Sequence, residues 1–106
     1  MTNKRIVLST AGSKEEAQKI AHALVDTRLA ACVNIVPQVH SVYRWEGNVE
    51  EAEEWLLIIK TTSISFAGVR QAIKRLHSYQ VPECVCLNIE DGSPEYLEWM
   101  GACVGA

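Results

Sequence analysis

From Arg28 to Lys60 the chain reads RLAACVNIVPQVHSVYRWEGNVEEAEEWLLIIK, two long strand-forming runs that meet at Gly47-Asn48. That pair suits a two-residue type II′ hairpin turn, because glycine takes the φ > 0 position without steric cost. Arms of about 12 residues, rising ~3.4 Å each, reach roughly 40 Å. A compact domain of this length has a radius of gyration of about 13 Å, so the distal end of the hairpin overhangs its own body. That end carries Tyr43, Trp45 and, on the return arm, Trp55. An isolated two-stranded ribbon is marginal in water. The overhang needs a cover, and another copy of the same chain would supply one.

At 106 residues the chain is one domain, 1–106, since two independent cores would each be poorly buried. It is 48% hydrophobic and 22% charged, a globular balance that excludes a largely disordered protein. The net charge is −3, with ten Lys and Arg scattered along the chain. Without a basic run, nucleic acid and anionic membrane are not the expected partners. After Lys4 and Arg5 only Ile6, Val7 and Leu8 precede polar residues, too short for a secretory apolar region. No stretch approaches the ~20 apolar residues of a membrane span. A cytoplasmic location is the expectation, and there the four cysteines, Cys32, Cys84, Cys86 and Cys103, are read as reduced thiols.

Around the hairpin the remaining elements are short. RIVLST, 5–10, reads as a first strand. Ser13 with Glu16 three residues on forms a capping box, in which the hydroxyl accepts from the N3 amide and the Glu side chain reaches back to the cap amide. Ala17, Ile20, Ala21, Leu24, Val25 and Leu29 then recur at helical spacing over Lys14 to Arg28. Pro37 removes a ladder donor from the first hairpin arm, which predicts a bulge or an edge there. With the turn at Gly47-Asn48, Arg44 faces Glu51, Tyr43 faces Ala52 and His40 faces Trp55. Trp55 to Ile59 is apolar without alternation and reads as buried on both faces. The acidic run Glu50, Glu51, Glu53, Glu54 is assigned to the solvated overhang.

Thr62 to Ser65 supplies hydroxyl caps for a second helix with Phe66, Val69, Ala72, Ile73 and Leu76 inward, ending near His77 behind Lys74 and Arg75. The segment from Ser78 to Glu83 is a loop, since Pro82 biases Val81 to extended geometry. CVCLNIE, 84–90, alternates as a last strand. Ser93 caps and Pro94 opens a closing helix to Cys103, and Gly105-Ala106 is expected to fray. The order β-α-β-β-α-β-α predicts an α+β, ferredoxin-like split βαβ fold with a four-stranded antiparallel sheet. Its second face has only the short last helix to cover it, which again points to self-association.

Three stretches in this order resemble the CutA family, the divalent-cation tolerance proteins. They are LAACVNIVP (29–37), SVYRWEGNV (41–49) with IIKTT (58–62), and HSYQVPE (77–83) followed by YLEW (96–99). The resemblance implies a ferredoxin-like homotrimer whose hairpins wrap neighbouring subunits, an architecture similar to that of the PII signalling proteins. It also implies a role in tolerance to copper and other divalent cations, copper binding as in some members, and no enzymatic reaction. Animal members are linked to membrane-protein anchoring. The chain departs from the family at Ser78, where the usual His-Pro-Tyr carries proline, and at Cys84, where a plain aliphatic is usual.

Several constellations carry a functional and a structural reading side by side. Cys84 and Cys86 share one face of a strand and would suit Cu(I) or zinc, or they are buried packing thiols. His77, at a helix end beside a loop, is the best single metal ligand candidate, though a helix C-terminus attracts a protonated His without any metal. Cys32 and Cys103 are read as packing thiols, His22 as surface, and His40 as packing on the hairpin. Trp45, Lys60, Tyr79 and Glu83, with Asn34, form either a polar cleft between subunits for a metal or small charged ligand, or intersubunit pairs that hold a trimer. Tyr43, Trp45 and Trp55 are assigned to the trimer interface. No Gly-rich phosphate loop, His-Glu-x-x-His or nucleophile elbow occurs, so the chain is not expected to be an enzyme; a Cys84–His77 dyad is the residual alternative. The leading function is metal tolerance through copper or another divalent cation, or a small ligand, bound at subunit clefts. A PII-like scaffold acting on an unknown protein partner is the alternative.

Overall fold

A computed structural model describes residues 2–105. Its elements run β1 (Lys4–Ala11), α1 (Lys14–Asp26), β2 (Cys32–Trp45), β3 (Asn48–Thr62), α2 (Phe66–Leu76), β4 (Val85–Asn88) and α3 (Pro94–Cys103). The sheet is antiparallel in the order β2-β3-β1-β4. That is the ferredoxin-like split βαβ arrangement expected from the element order.

The period-2 alternation of the strands decides which side chains meet the helices. Val7 and Ala11 of β1 and Leu57 and Ile59 of β3 are fully buried with Ala17, Ile20 and Leu24 of α1 and Val69 and Ile73 of α2. Burying a side chain of Val, Leu or Ile size stabilises by about 1.5–3 kcal/mol, so this one layer supplies most of the driving force. The opposite face carries α3, whose Met100 is fully buried, but Val36, Val85, Leu87, Tyr96 and Trp99 remain exposed. This face is only partly covered by its own chain.

Helix α1 starts as the capping box predicts on one side only. Ser13 Oγ accepts from the Glu16 amide at 3.1 Å, but the Glu16 carboxylate does not return to the cap. It accepts from the Ser78 amide at 3.1 Å instead, because the segment after α2 passes within its reach. The helix ends two residues earlier than the periodicity suggested, at Asp26. Arg28, at φ 62°, closes a Schellman motif with Arg28 N–H to Val25 O (3.0 Å) and Leu29 N–H to Leu24 O (2.9 Å). Its guanidinium donates to Gly105 O (2.8 Å) and Ala102 O (3.1 Å), while Gly105 N–H donates to Arg28 O (2.9 Å). Gly105 is thus tied down rather than frayed, and Ala106 lies outside the described residues.

The hairpin is longer than its body is wide: the principal extents are 44 × 25 × 22 Å, with a radius of gyration of 14.2 Å. Its turn is Glu46-Gly47, both at φ > 0 (49° and 82°), the I′ pattern rather than the expected II′ pair at Gly47-Asn48. Glycine serves as the second turn residue, so Tyr43 pairs with Glu50, Arg44 with Val49 and Trp45 with Asn48. His40 therefore sits opposite Glu53, not Trp55, and its Nε2 meets Glu51 Oε1 diagonally at 2.7 Å. The predicted break at Pro37 is a bulge. Val36 pairs with Leu56 and Val39 with Glu54, leaving Pro37 and Gln38 opposite Trp55 alone, with Gln38 at φ 61°. Towards its tip the ribbon is uncovered, and Val42 and Val49 are 63% and 64% exposed.

Strand β4 is shorter than 84–90, and Cys84 precedes it. Helix α2 keeps the expected inward stripe, but its Ser65 cap makes no side-chain bond; Thr62 Oγ1 accepts from the Ser65 amide instead.

Candidate functional site

Where the hairpin leaves the body, the loop after α2 folds back over it. His77 ends α2 with a buried ring fixed on both sides. Nε2–H donates to Thr10 O at 2.6 Å, and Nδ1 accepts from the Tyr79 amide at 3.0 Å. Glu16 Oε1 lies 3.0 Å from the same Nδ1. Burial alone would raise the Glu16 pKa, but the bonds from the Ser78 backbone and hydroxyl, with the Lys19 ammonium nearby, hold it below the ordinary value. His77 thus anchors the loop, with neither nitrogen free for a metal.

This anchor turns the Tyr79 phenol toward β3. A Cβ at Gly12 would stand 2.8 Å from the Tyr79 hydroxyl, so the ring passes closely over this glycine. Tyr79 Oη donates to Glu54 Oε2 at 2.8 Å. Burial and this carboxylate raise the tyrosine pKa well above its ordinary value, so the phenol remains a donor at any physiological pH. Glu54 itself is only 6% exposed. The solvated reading of the acidic run thus fails at its last member. Position 54 pairs with Val39 just beyond the bulge, where the sheet is still covered by the returning loop.

Glu54 and Tyr79 form the inner wall of a cleft of about 590 Å³, completed by Thr10, the Ser41–Tyr43 stretch, Trp45, Gln80, Val81 and Glu83. Through the register Ser41, Tyr43 and Trp45 share the sheet face of Glu54. No Lys, Arg or His lines the cleft, whereas two carboxylates do. Chemically it offers negative charge, acceptor oxygens and aromatic faces.

Three of the five residues expected in the cleft, Trp45, Tyr79 and Glu83, are there; Asn34 is not, and neither is Lys60. It lies six residues from Glu54 along β3, about 20 Å away, where its ammonium bonds Asn34 Oδ1 and stands 3.6 Å from Cys32 Sγ. Thr10, Ser41, Val42, Tyr43 and Glu54 were missed as cleft residues. The one available signal was that Glu54 directly adjoins the doubly buried run from Trp55. Of the aromatics expected at a trimer interface, Tyr43 and Trp45 are exposed and line the cleft, while Trp55 is half-buried against the core.

The soft ligand set does not fit a metal within one chain. Cys86 pairs with Val7 and, like Cys84, packs on the core under the helices. Burial raises the Cys84 thiol despite Arg70, which keeps it from being a ready thiolate ligand or nucleophile. Among the described residues no three His, Cys, Asp or Glu side chains gather as a metal site.

Comparison with known proteins agrees with the fold and with the family resemblance. The chain is 52% identical over 97 residues to the divalent-cation tolerance protein CutA of Thermus thermophilus, covering 92% of this chain and 94% of that protein. It is 46% identical over 85 residues to the CutA homolog of Xenopus laevis, covering 80% of this chain but only 56% of that longer protein. The crystal structure of CutA from Xylella fastidiosa superposes with a TM-score of 0.96 at 34% identity, over 98% of this chain and 100% of that one. The family model described as CutA1 divalent ion tolerance protein matches residues 5–103, and the chain belongs to this family.

Proposed function

We propose that the chain contributes to divalent-cation tolerance as a cytoplasmic homotrimer, without catalysing a reaction, by binding a cationic ligand in the cleft between hairpin and Tyr79 loop. The ligand class in this reading is a divalent metal, copper included, or a small charged molecule. The supporting observation is Glu54, a carboxylate 94% removed from solvent whose one side-chain donor is the neutral Tyr79 phenol. A buried charge without a cationic partner is costly, and no basic side chain lines the cleft to offset it. A bound cation would supply the missing charge.

The test is growth under copper or zinc challenge in a host that lacks its own homologue. Wild-type chain is expected to restore growth. Glu54→Gln, which keeps an acceptor for Tyr79 but removes the charge, is expected to restore it at least several-fold less at equal expression. Equal rescue by the variant would detach tolerance from the cleft.

A further inference from the structure

The cleft differs from a metal cage in three respects: size, lining and ligand count. A volume of about 590 Å³ is within the roughly 300–1,000 Å³ of small-molecule pockets. It would hold roughly 20 waters at ~30 Å³ each, so a bare ion would leave it almost entirely water-filled. A calcium cage takes about 6–8 oxygen ligands at ~2.3–2.6 Å, often several carboxylates, and the lining carries two carboxylates, Glu54 and Glu83. Soft ions have no thiol or free imidazole there.

What the lining does offer suits an organic cation. In the single chain Tyr43 and Trp45, the aromatics also assigned to the trimer interface, are 43% and 39% exposed and stand on the Glu54 face of the hairpin. Indole and phenol faces attract ammonium and guanidinium groups by ~0.5–2 kcal/mol each, more as water is removed. Glu54 fixes the charge at the inner end, and Thr10, Ser41 and Gln80 add polar atoms that can accept N–H bonds.

We propose that this cleft binds a small organic cation bearing N–H donors, an alkylammonium or guanidinium compound, with its charged head on Glu54 and its body along Tyr43 and Trp45. The proposal rests on the reading of the cleft as the cation site.

The test is calorimetric titration of chelator-treated protein with 1,4-diaminobutane, and separately with Cu²⁺ and Zn²⁺, with glutarate as an anion of similar length. Saturable diamine binding is expected, weakened at least tenfold by Glu54→Gln and also weakened by Glu83→Gln, which alters an exposed residue and spares the interior. Glu53→Gln, on the other face of the same strand, is expected to leave it unchanged, and glutarate is expected not to bind. Diamine binding that is equal in all variants would mean diffuse surface attraction and would overturn the proposal. Metal binding lost in Glu54→Gln without diamine binding would overturn it while leaving the cleft reading intact. No binding of either class would overturn both.

Discussion

At the scale of single residues, Glu16 links the start of α1 to the loop that carries the cleft. Its carboxylate accepts from Ser78 N–H and faces His77, and its pKa lies below the ordinary 4.5. The folded state therefore binds fewer protons at this group than the unfolded chain. Its stabilisation is fully present above pH 4.5 and is lost as pH falls through the folded value. Glu16→Gln exchanges a charge-assisted acceptor for a neutral one, a difference of about 1 kcal/mol. Denaturant unfolding at fixed protein concentration should show the variant less stable by that amount at pH 7 and the gap closing below pH 4.5. A gap that stays constant to pH 3 would show that Glu16 acts by shape alone. In the sequence the capping spacing identified Glu16, but not its use. Which donor a helix-terminal carboxylate takes depends on what the distant chain brings near, and Ser78 lies 62 positions away.

At the scale of elements, the hairpin depends on its turn and its bulge. An added Cβ at Gly47 meets nothing within 4 Å, so Gly47→Ala tests the backbone alone. At φ 82° alanine costs about 1–2 kcal/mol, and thermal unfolding should register a loss of that order. An unchanged midpoint would mean that the turn is not held at φ > 0 in solution. Both strands, a bulge or edge at Pro37 and the two-residue turn length were legible in the sequence, and β2 is both bulged there and at the sheet edge, whereas the turn position was displaced by one residue. Either neighbour of Gly47 can complete a two-residue turn locally. The choice is made by pairing over the whole ribbon, including the extra residue at the bulge.

For the whole molecule, the decisive feature is surface that one chain leaves uncovered. The ribbon beyond the bulge exposes Val42 and Val49, and the α3 face exposes Val36, Val85, Leu87, Tyr96 and Trp99. Large apolar side chains left exposed on two faces are the kind of surface that marks an interaction site. Light scattering after size exclusion at micromolar concentration is expected to give three times the 11.8 kDa chain mass. A monomer at that concentration would refute the assembly. Sequence by itself determined the element order, the ferredoxin-like topology, the core stripes and the family, because periodicity, caps and short motifs are local signals that agree with one another. It also grouped Trp45, Tyr79 and Glu83, though as a cleft or a set of pairs between subunits, whereas the structure lines a cleft within one chain with them. Only the tertiary structure separated Lys60 from them, committed His77 to Thr10 and the loop, turned Cys86 into the core and buried Glu54. The reason is physical: proximity and desolvation arise where segments far apart in the chain converge, and a side chain's charge, partners and availability are set there.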